Sequence, residues 1–342
     1  MKKFLKKILL ISTPLMILLV VINYFIDPAK IYDSKYEKKI SNILINGNFV
    51  TNINNYDERI LQKEIINSMR NPKEVLVFGS SRTMLINSSF FPNKTFFNNS
   101  VSGASYEDFI AIFQIYKENN LLPKKIIIGI DPWLLNKNNR QIRWKSIESY
   151  YKKNKELTSY SFSFQKFSQL ISLSYFQSAI INLPEYFLFK TEPKKTNKKY
   201  NNKNTKLTDG SLVYNSNYRN ASLNIVSSKI NRFMDDKIYS IENFLSISDE
   251  IWSEFTMFIN SLINSNISIE FFMSPYPPKV YDKISKEYPN VLKTEKLILN
   301  YAKNNNIKIY GSFNPYNLEF DNNYFYDGMH CNEKGIKLIF NK

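Results

Sequence analysis

His330 is the only histidine in this chain of 342 residues. No other side chain titrates near neutral pH unperturbed, so His330 is the natural proton carrier. Asp327 stands three positions before it. In a tight turn that spacing lets the carboxylate reach the imidazole Nδ1–H and fix its tautomer. A base oriented this way needs a nucleophile, and Gly79-Ser80-Ser81 supplies one after a short apolar run. Ser80 or Ser81 would attack an acyl carbonyl and His330 would take its proton. A serine opening a helix also has free backbone N–H groups beside it, suited to an oxyanion. Cys331 is a second nucleophile by type, although a buried spectator is the commoner role of a lone cysteine.

The composition restricts the chemistry further. One cysteine leaves no internal disulfide and no multi-cysteine metal site, and one histidine argues against a His-rich centre. Acyl transfer of this kind needs no cofactor. Lys and Arg number 46 against 30 Asp and Glu, a net charge of +16 that favours polyanions.

The elements that must position these residues follow in order. Residues 1–7 form a basic end with Lys2, Lys3, Lys6 and Lys7, and 8–26 is an uncharged run long enough to cross a bilayer. Positive charge before it places the N-terminus in the cytoplasm and the rest outside. A cleaved signal peptide is the rival, without a small-x-small cleavage site to support it. This single-pass, extracytoplasmic topology argues against nucleic acid as a partner. Residues 27–72 read as a linker with an amphipathic helix over 57–69. A domain over 73–342 follows. Val75–Phe78, Phe96–Asn98 and Lys125–Asp131 read as buried parallel strands. Residues 267–273 and 307–310 continue the sheet, with helices over 106–116, 246–263, 291–302 and 332–340. This βαβ rhythm predicts an α/β fold, a three-layer doubly wound sandwich with a mainly parallel sheet, behind an N-terminal transmembrane helix. The rhythm is lost over about 132–240, an insertion or cap. Within it, 194–206 carries lysines and no acid, and reads as a solvated, mobile loop. Ligands of such sheets bind at the carboxyl ends of strands. Ser81, Gly103 and Asp131 follow three of them.

At these residues the chain resembles the SGNH/GDSL hydrolase superfamily. Gly79-Ser80-Ser81 matches its first block, with Ser80 in place of the usual Asp and Ser81 as nucleophile. Asn98-Asn99-Ser100-Val101-Ser102-Gly103 matches the second, which implies that the N–H groups of Ser81 and Gly103 hold the oxyanion. Asp327-Gly328-Met329-His330 matches the last. The third block departs: Asp131 of Gly129-Ile130-Asp131-Pro132 falls where the family has an oxyanion-binding Asn. An ionised Asp only accepts hydrogen bonds. Asp131 is protonated, is replaced by another donor, or has a different task. Ser80, Arg82, Asp131 and Tyr276 are further candidates to line the site. Thr83 stands where a Gly-x-Ser-x-Gly elbow needs its second Gly, which argues against an α/β-hydrolase.

An anchor joined to Gly-Ser-Ser resembles the subset that includes teichoic-acid D-alanylation and polysaccharide O-acetylation proteins. The resemblance implies a serine esterase or O-acyltransferase acting on an envelope polysaccharide or a teichoic-acid-like polymer. It also implies a membrane-bound O-acyltransferase as a partner. The other reading is a catalytically inactive glycan-binding or scaffold protein of the same fold, which the Asp at 131 favours.

Overall fold

The structure is a computed structural model that describes residues 2–27, 35–54, 56–155, 167, 169–188, 192–235 and 237–341. Its strands in chain order are β1 (Phe49–Thr51), β2 (Val75–Phe78), β3 (Phe96–Asn98), β4 (Lys125–Gly129), β5 (Lys194–Thr196), β6 (Thr205–Lys206), β7 (Leu212–Val213), β8 (Ser268–Met273) and β9 (Lys308–Gly311).

The central sheet has the order β3-β2-β4-β8-β9, and every neighbouring pair is parallel. Strands covered on both faces can be apolar throughout, and all of β2 is buried. Side-chain alternation sorts these residues into two cores. Leu76, Phe78, Ile126, Ile128, Phe271 and Met273 face one, while Val75, Val77, Ile127 and Phe272 face the other. The helices Tyr106–Glu118 and Asp249–Asn264 close the first core through Phe109, Phe113, Phe255 and Phe258. The helix Glu333–Asn341 closes the second through Ile336 and Ile339. The expected α/β layering with a parallel sheet is therefore present.

Local chemistry sets the helix starts. Asp57 caps Glu58–Ser68 by accepting from Arg59 N and Ile60 N at 2.8 and 3.1 Å. Ser248 does the same for Asp249–Asn264, accepting from Ile251 N at 3.3 Å. A helix absent from the sequence reading, Pro278–Glu287, begins just after the strand end. Its first position is a proline, whose missing N–H costs nothing there.

A second, antiparallel sheet has the order β5-β1-β6-β7. β1 comes from the segment 27–72, so that segment and the insertion share one sheet. The expectation of a mobile lysine loop over 194–206 is corrected here: the stretch begins in β5 and ends in β6, both paired to β1. Lys194 and Lys195 stay exposed, whereas Lys206 is buried. Charge composition predicts solvation, but backbone pairing to a distant strand leaves no mark in composition.

The run 8–26 lies within the helix Lys2–Ile26. Its buried Asn23 donates from Nδ2 to Leu170 O at 2.9 Å and Ser172 O at 3.2 Å. The expected transmembrane helix is not found: among the described residues no helix is long and apolar enough to cross a membrane. The side chains of Phe4, Leu5, Ile8, Leu9 and Ile11 lie outside the described residues.

Candidate active site

β2 ends at Phe78, and a single 3-10 turn, Ser81–Thr83, follows. Ser80 caps that turn by accepting from Arg82 N at 3.2 Å. The turn is tight because Thr83 packs between two strand ends. A Cβ on Gly79 would lie 2.3 Å from Thr83 Oγ1, and one on Gly129 would lie 2.6 Å from Thr83 Cγ2. Both glycines are needed for that close approach. Thr83 Oγ1 then lies 2.9 Å from Ser80 O and 2.7 Å from Ser100 Oγ.

The loop after β3 is tied to the same turn. Asn98 Nδ2 donates to Thr83 O and Ile86 O at 2.9 and 2.8 Å, while its Oδ1 accepts from Ser100 N at 2.8 Å. Val101 N donates to Gly79 O at 3.0 Å. Gly103 takes the left-handed conformation with φ of +57°. Glu58 accepts from both the N–H and the hydroxyl of Ser102, the latter at 3.1 Å. Beneath the loop, buried Arg59 grips Asp108 through Nε and Nη2 at 2.8 and 2.9 Å. Such a bidentate pair holds geometry as well as charge. The N–H groups of Ser81 and Gly103 donate to no acceptor among the described residues. They remain available to an oxyanion.

The third part arrives from the far end of the chain. Asp327–His330 forms a turn closed by Tyr326 N donating to His330 O at 2.9 Å. Asp327 Oδ1 accepts from Met329 N and His330 N at 2.8 and 2.9 Å. Asp327 Oδ2 lies 3.0 Å from His330 Nδ1, and His330 Nε2 lies 2.9 Å from Ser81 Oγ across 249 positions of sequence. This network assigns the proton to Nδ1, which leaves Nε2 to accept from the serine hydroxyl. Burial alone would raise the Asp327 carboxyl. The His330 ring and the two backbone N–H groups outweigh it and hold the group below the usual carboxylate range.

The four remaining candidates gather behind the nucleophile. Ser80, Arg82, Asp131 and Tyr276 are each at most 4% exposed. Ser80 Oγ donates to Asp131 Oδ1 at 3.0 Å. Arg82 Nη2 donates to Ser274 O and to Pro275 O, the second at 3.1 Å. The Arg82 guanidinium sits 4.2 Å from the Tyr276 ring centre, and its Nε is 4.0 Å from Asp131 Oδ1. These residues brace the strand end. Cys331 is buried, and burial pushes its thiol up to about 12. At neutral pH it is a thiol and a poor nucleophile.

Burial also pushes Asp131 up to about 7, with Arg82 and Ser80 pulling back. The folded state therefore keeps a proton that the unfolded chain releases above the ordinary value of 3.8. The raised value makes the Asp131 contribution to stability fall as pH climbs from about 4 to about 7. An asparagine in its place has no such dependence. Asp131→Asn is thus expected to match the wild type in melting temperature near pH 4. It should gain on the wild type by pH 8, by at most about 4 kcal/mol. Parallel melting curves across that range would contradict this.

The insertion supplies residues that spacing in the sequence did not reveal. A Cβ on Gly103 would lie 2.4 Å from Gln141 Oε1 and 2.8 Å from Tyr239 Oη. Both side chains therefore cover the oxyanion loop, joined by Gln141 Nε2 donating to Tyr239 Oη at 2.8 Å. Phe233 covers Gly328, leaving no room for a side chain there. The Tyr214 ring faces the imidazole of His330 at 6.0 Å. None of these positions carries a motif, because each meets the site only through the fold of the insertion. No protein-family model matches the chain, and no curated protein matches it at a significant level.

Proposed function

We propose that this protein is a membrane-anchored, extracytoplasmic serine acyltransferase or esterase of the SGNH type, acting on acyl groups of a cell-envelope polymer. The observation that carries the reading is the line Ser81 Oγ, His330 Nε2, His330 Nδ1, Asp327, with gaps of 2.9 and 3.0 Å. Ser81 attacks the acyl carbonyl while its proton passes to His330. The oxyanion that forms accepts from Ser81 N–H and Gly103 N–H. Collapse expels the leaving alkoxide, protonated by His330, and leaves an acyl-serine. A polymer hydroxyl or water, deprotonated by His330, then takes the acyl group.

The basic end and the apolar run 8–26 support the anchor, although no helix among the described residues is long and apolar enough to cross a membrane. So does the exposure of Leu10, Leu15, Met16, Ile17 and Leu18 on one helix, since that much exposed apolar surface suits lipid. A membrane-bound O-acyltransferase is the partner this topology suits. One observation favours the non-catalytic reading: the Asp131 carboxylate is engaged by Ser80 and offers the oxyanion no amide. A fluorophosphonate probe decides between them. Expected is stoichiometric labelling of the pure, folded protein at Ser81. Folded protein that stays unlabelled would instead be a binder.

A further inference from the structure

The residue after the nucleophile and the residue after the base meet on a third element. Arg82 follows Ser81, and its Nη2 donates to Ser274 O and to Pro275 O, the second at 3.1 Å. Cys331 follows His330, and its Sγ accepts from Ser274 Oγ at 3.5 Å. Arg82, Ser274 and Cys331 are all buried. Ser274 comes directly after β8, whose last residue, Met273, pairs with Gly311 of β9. Two residues on, Tyr276 N donates to Phe313 O at 3.1 Å, so this strand end is itself held. Ser274 thus joins the turn that carries Ser81 to the turn that carries His330, which lie 249 positions apart in sequence.

The guanidinium is a costly way to fill this space. Its Nε and Nη1 meet no acceptor in hydrogen-bond geometry among the described residues. The one carboxylate within ion-pair reach, Asp131, lies 4.0 Å from Nε and already accepts from Ser80 Oγ at 3.0 Å. Buried donors without acceptors cost free energy, and an apolar side chain of similar volume packs such a site more cheaply. An apolar chain cannot, however, reach two carbonyls from one flat fork while lying 4.2 Å from the centre of the Tyr276 ring. The Ser81 hydroxyl has its contact with His330 and no other hydrogen bond among the described residues, so its place is inherited from its neighbours. Ser80 ties one side of the turn to Asp131 after β4, and Arg82 ties the other side to the end of β8.

We propose that Arg82 is a positioning residue that, through Ser274 and Cys331, sets the separation of Ser81 and His330. Loss of the guanidinium lengthens the hydrogen bond between them and leaves Asp327 in place on the other ring nitrogen. The effect on rate rests on the acyl-transfer reading above, whereas the effect on the hydrogen bond does not. A displacement of about 1 Å between nucleophile and base costs about a hundredfold in rate.

The test uses the full chain carrying isotope-labelled histidine. His330 is the only histidine, so NMR gives one pair of imidazole nitrogen signals, and they report on the site without turnover. Ser81→Ala defines the Nε2 signal when the serine partner is lost. Arg82→Met fills the space of the side-chain stem without the fork. Expected is an Nε2 signal displaced at least halfway toward that of Ser81→Ala, with the Nδ1 signal unchanged. For an activated acyl ester, kcat should fall by about a hundredfold while KM stays within about twofold. Arg82→Lys, which reaches one carbonyl, should lie between Arg82→Met and the wild type in both readouts. Cys331→Ala cuts the other arm and should move Nε2 the same way by less, because sulfur is a weak acceptor. Ile259→Ala, which loosens a distant part of the core, should leave Nε2 at its wild-type position. Folded Arg82→Met with a wild-type Nε2 signal, or an equal displacement in Ile259→Ala, overturns the proposal. Should Arg82→Met fail to fold, Arg82→Lys carries the test, and unfolding of both would make Arg82 purely structural and end the idea. A displaced Nε2 signal in a protein that no serine probe labels would keep the positioning role and remove the acyl-transfer reading. Labelling of Ser81 with Nε2 unmoved in Arg82→Met would do the reverse.

Discussion

Ser81→Ala is expected to lower kcat/KM for an activated acyl ester such as 4-nitrophenyl acetate by about a thousandfold or more, with the fold unchanged. The loss is large because the hydroxyl is the atom that forms the covalent bond, and no neighbour can replace it. Ser80 Oγ is committed to Asp131 and to Arg82 N. The Cys331 thiol is buried and kept protonated. What survives the substitution is the pair of oxyanion N–H groups, which belong to the backbone and do not depend on the side chain at 81. The fold survives because the Ser81 hydroxyl contacts only the His330 ring, and a partly exposed serine with no cap role costs about 0.5 kcal/mol or less to truncate. Turnover by Ser81→Ala within about tenfold of the wild type would remove serine catalysis from this protein.

Ser81 was legible because two simple signals coincide there. The run Val75–Phe78 is apolar without alternation, which marks a strand covered on both faces, and the residues after such strands meet at one sheet edge. The same logic found Gly103, and the spacing of Asp327 and His330 announced itself. Asp131 was placed correctly at a strand end, but its burial and its bond to Ser80 depend on Arg82 and Tyr276 folding behind it. The insertion was illegible for a different reason. β1, β5, β6 and β7 are two or three residues long, too short for any periodicity to register. β1 pairs with partners more than a hundred positions away, and local composition carries no trace of that pairing. Hence Gln141, Tyr214, Phe233 and Tyr239, which cover the site, were not predicted. Lys206 looked like one more solvated lysine.

Asp327→Asn is expected to lower kcat/KM by about a thousandfold to ten-thousandfold near neutral pH, while Ser81 and His330 remain in place. The carboxylate does two things. It accepts from Met329 N and His330 N, which shapes the turn, and it accepts from His330 Nδ1, which fixes the tautomer. An asparagine carbonyl can keep the backbone bonds. Its amide nitrogen then faces Nδ1 and requires a lone pair there, which moves the ring proton to Nε2. An Nε2–H cannot accept the proton of Ser81, so the geometry survives and the base is lost. Charge adds a second effect, because Asp327 no longer stabilises the imidazolium formed during attack. Stability provides an independent check. The folded-state pKa of Asp327 is depressed, so its contribution is present above the unfolded carboxyl pKa and is lost as pH falls through the folded value. The melting temperature of the wild type should therefore exceed that of Asp327→Asn most clearly at neutral pH, and the gap should close in acid below about pH 4. Activity above about a tenth of wild type, or a gap in melting temperature that ignores pH, would mean that another group orients His330.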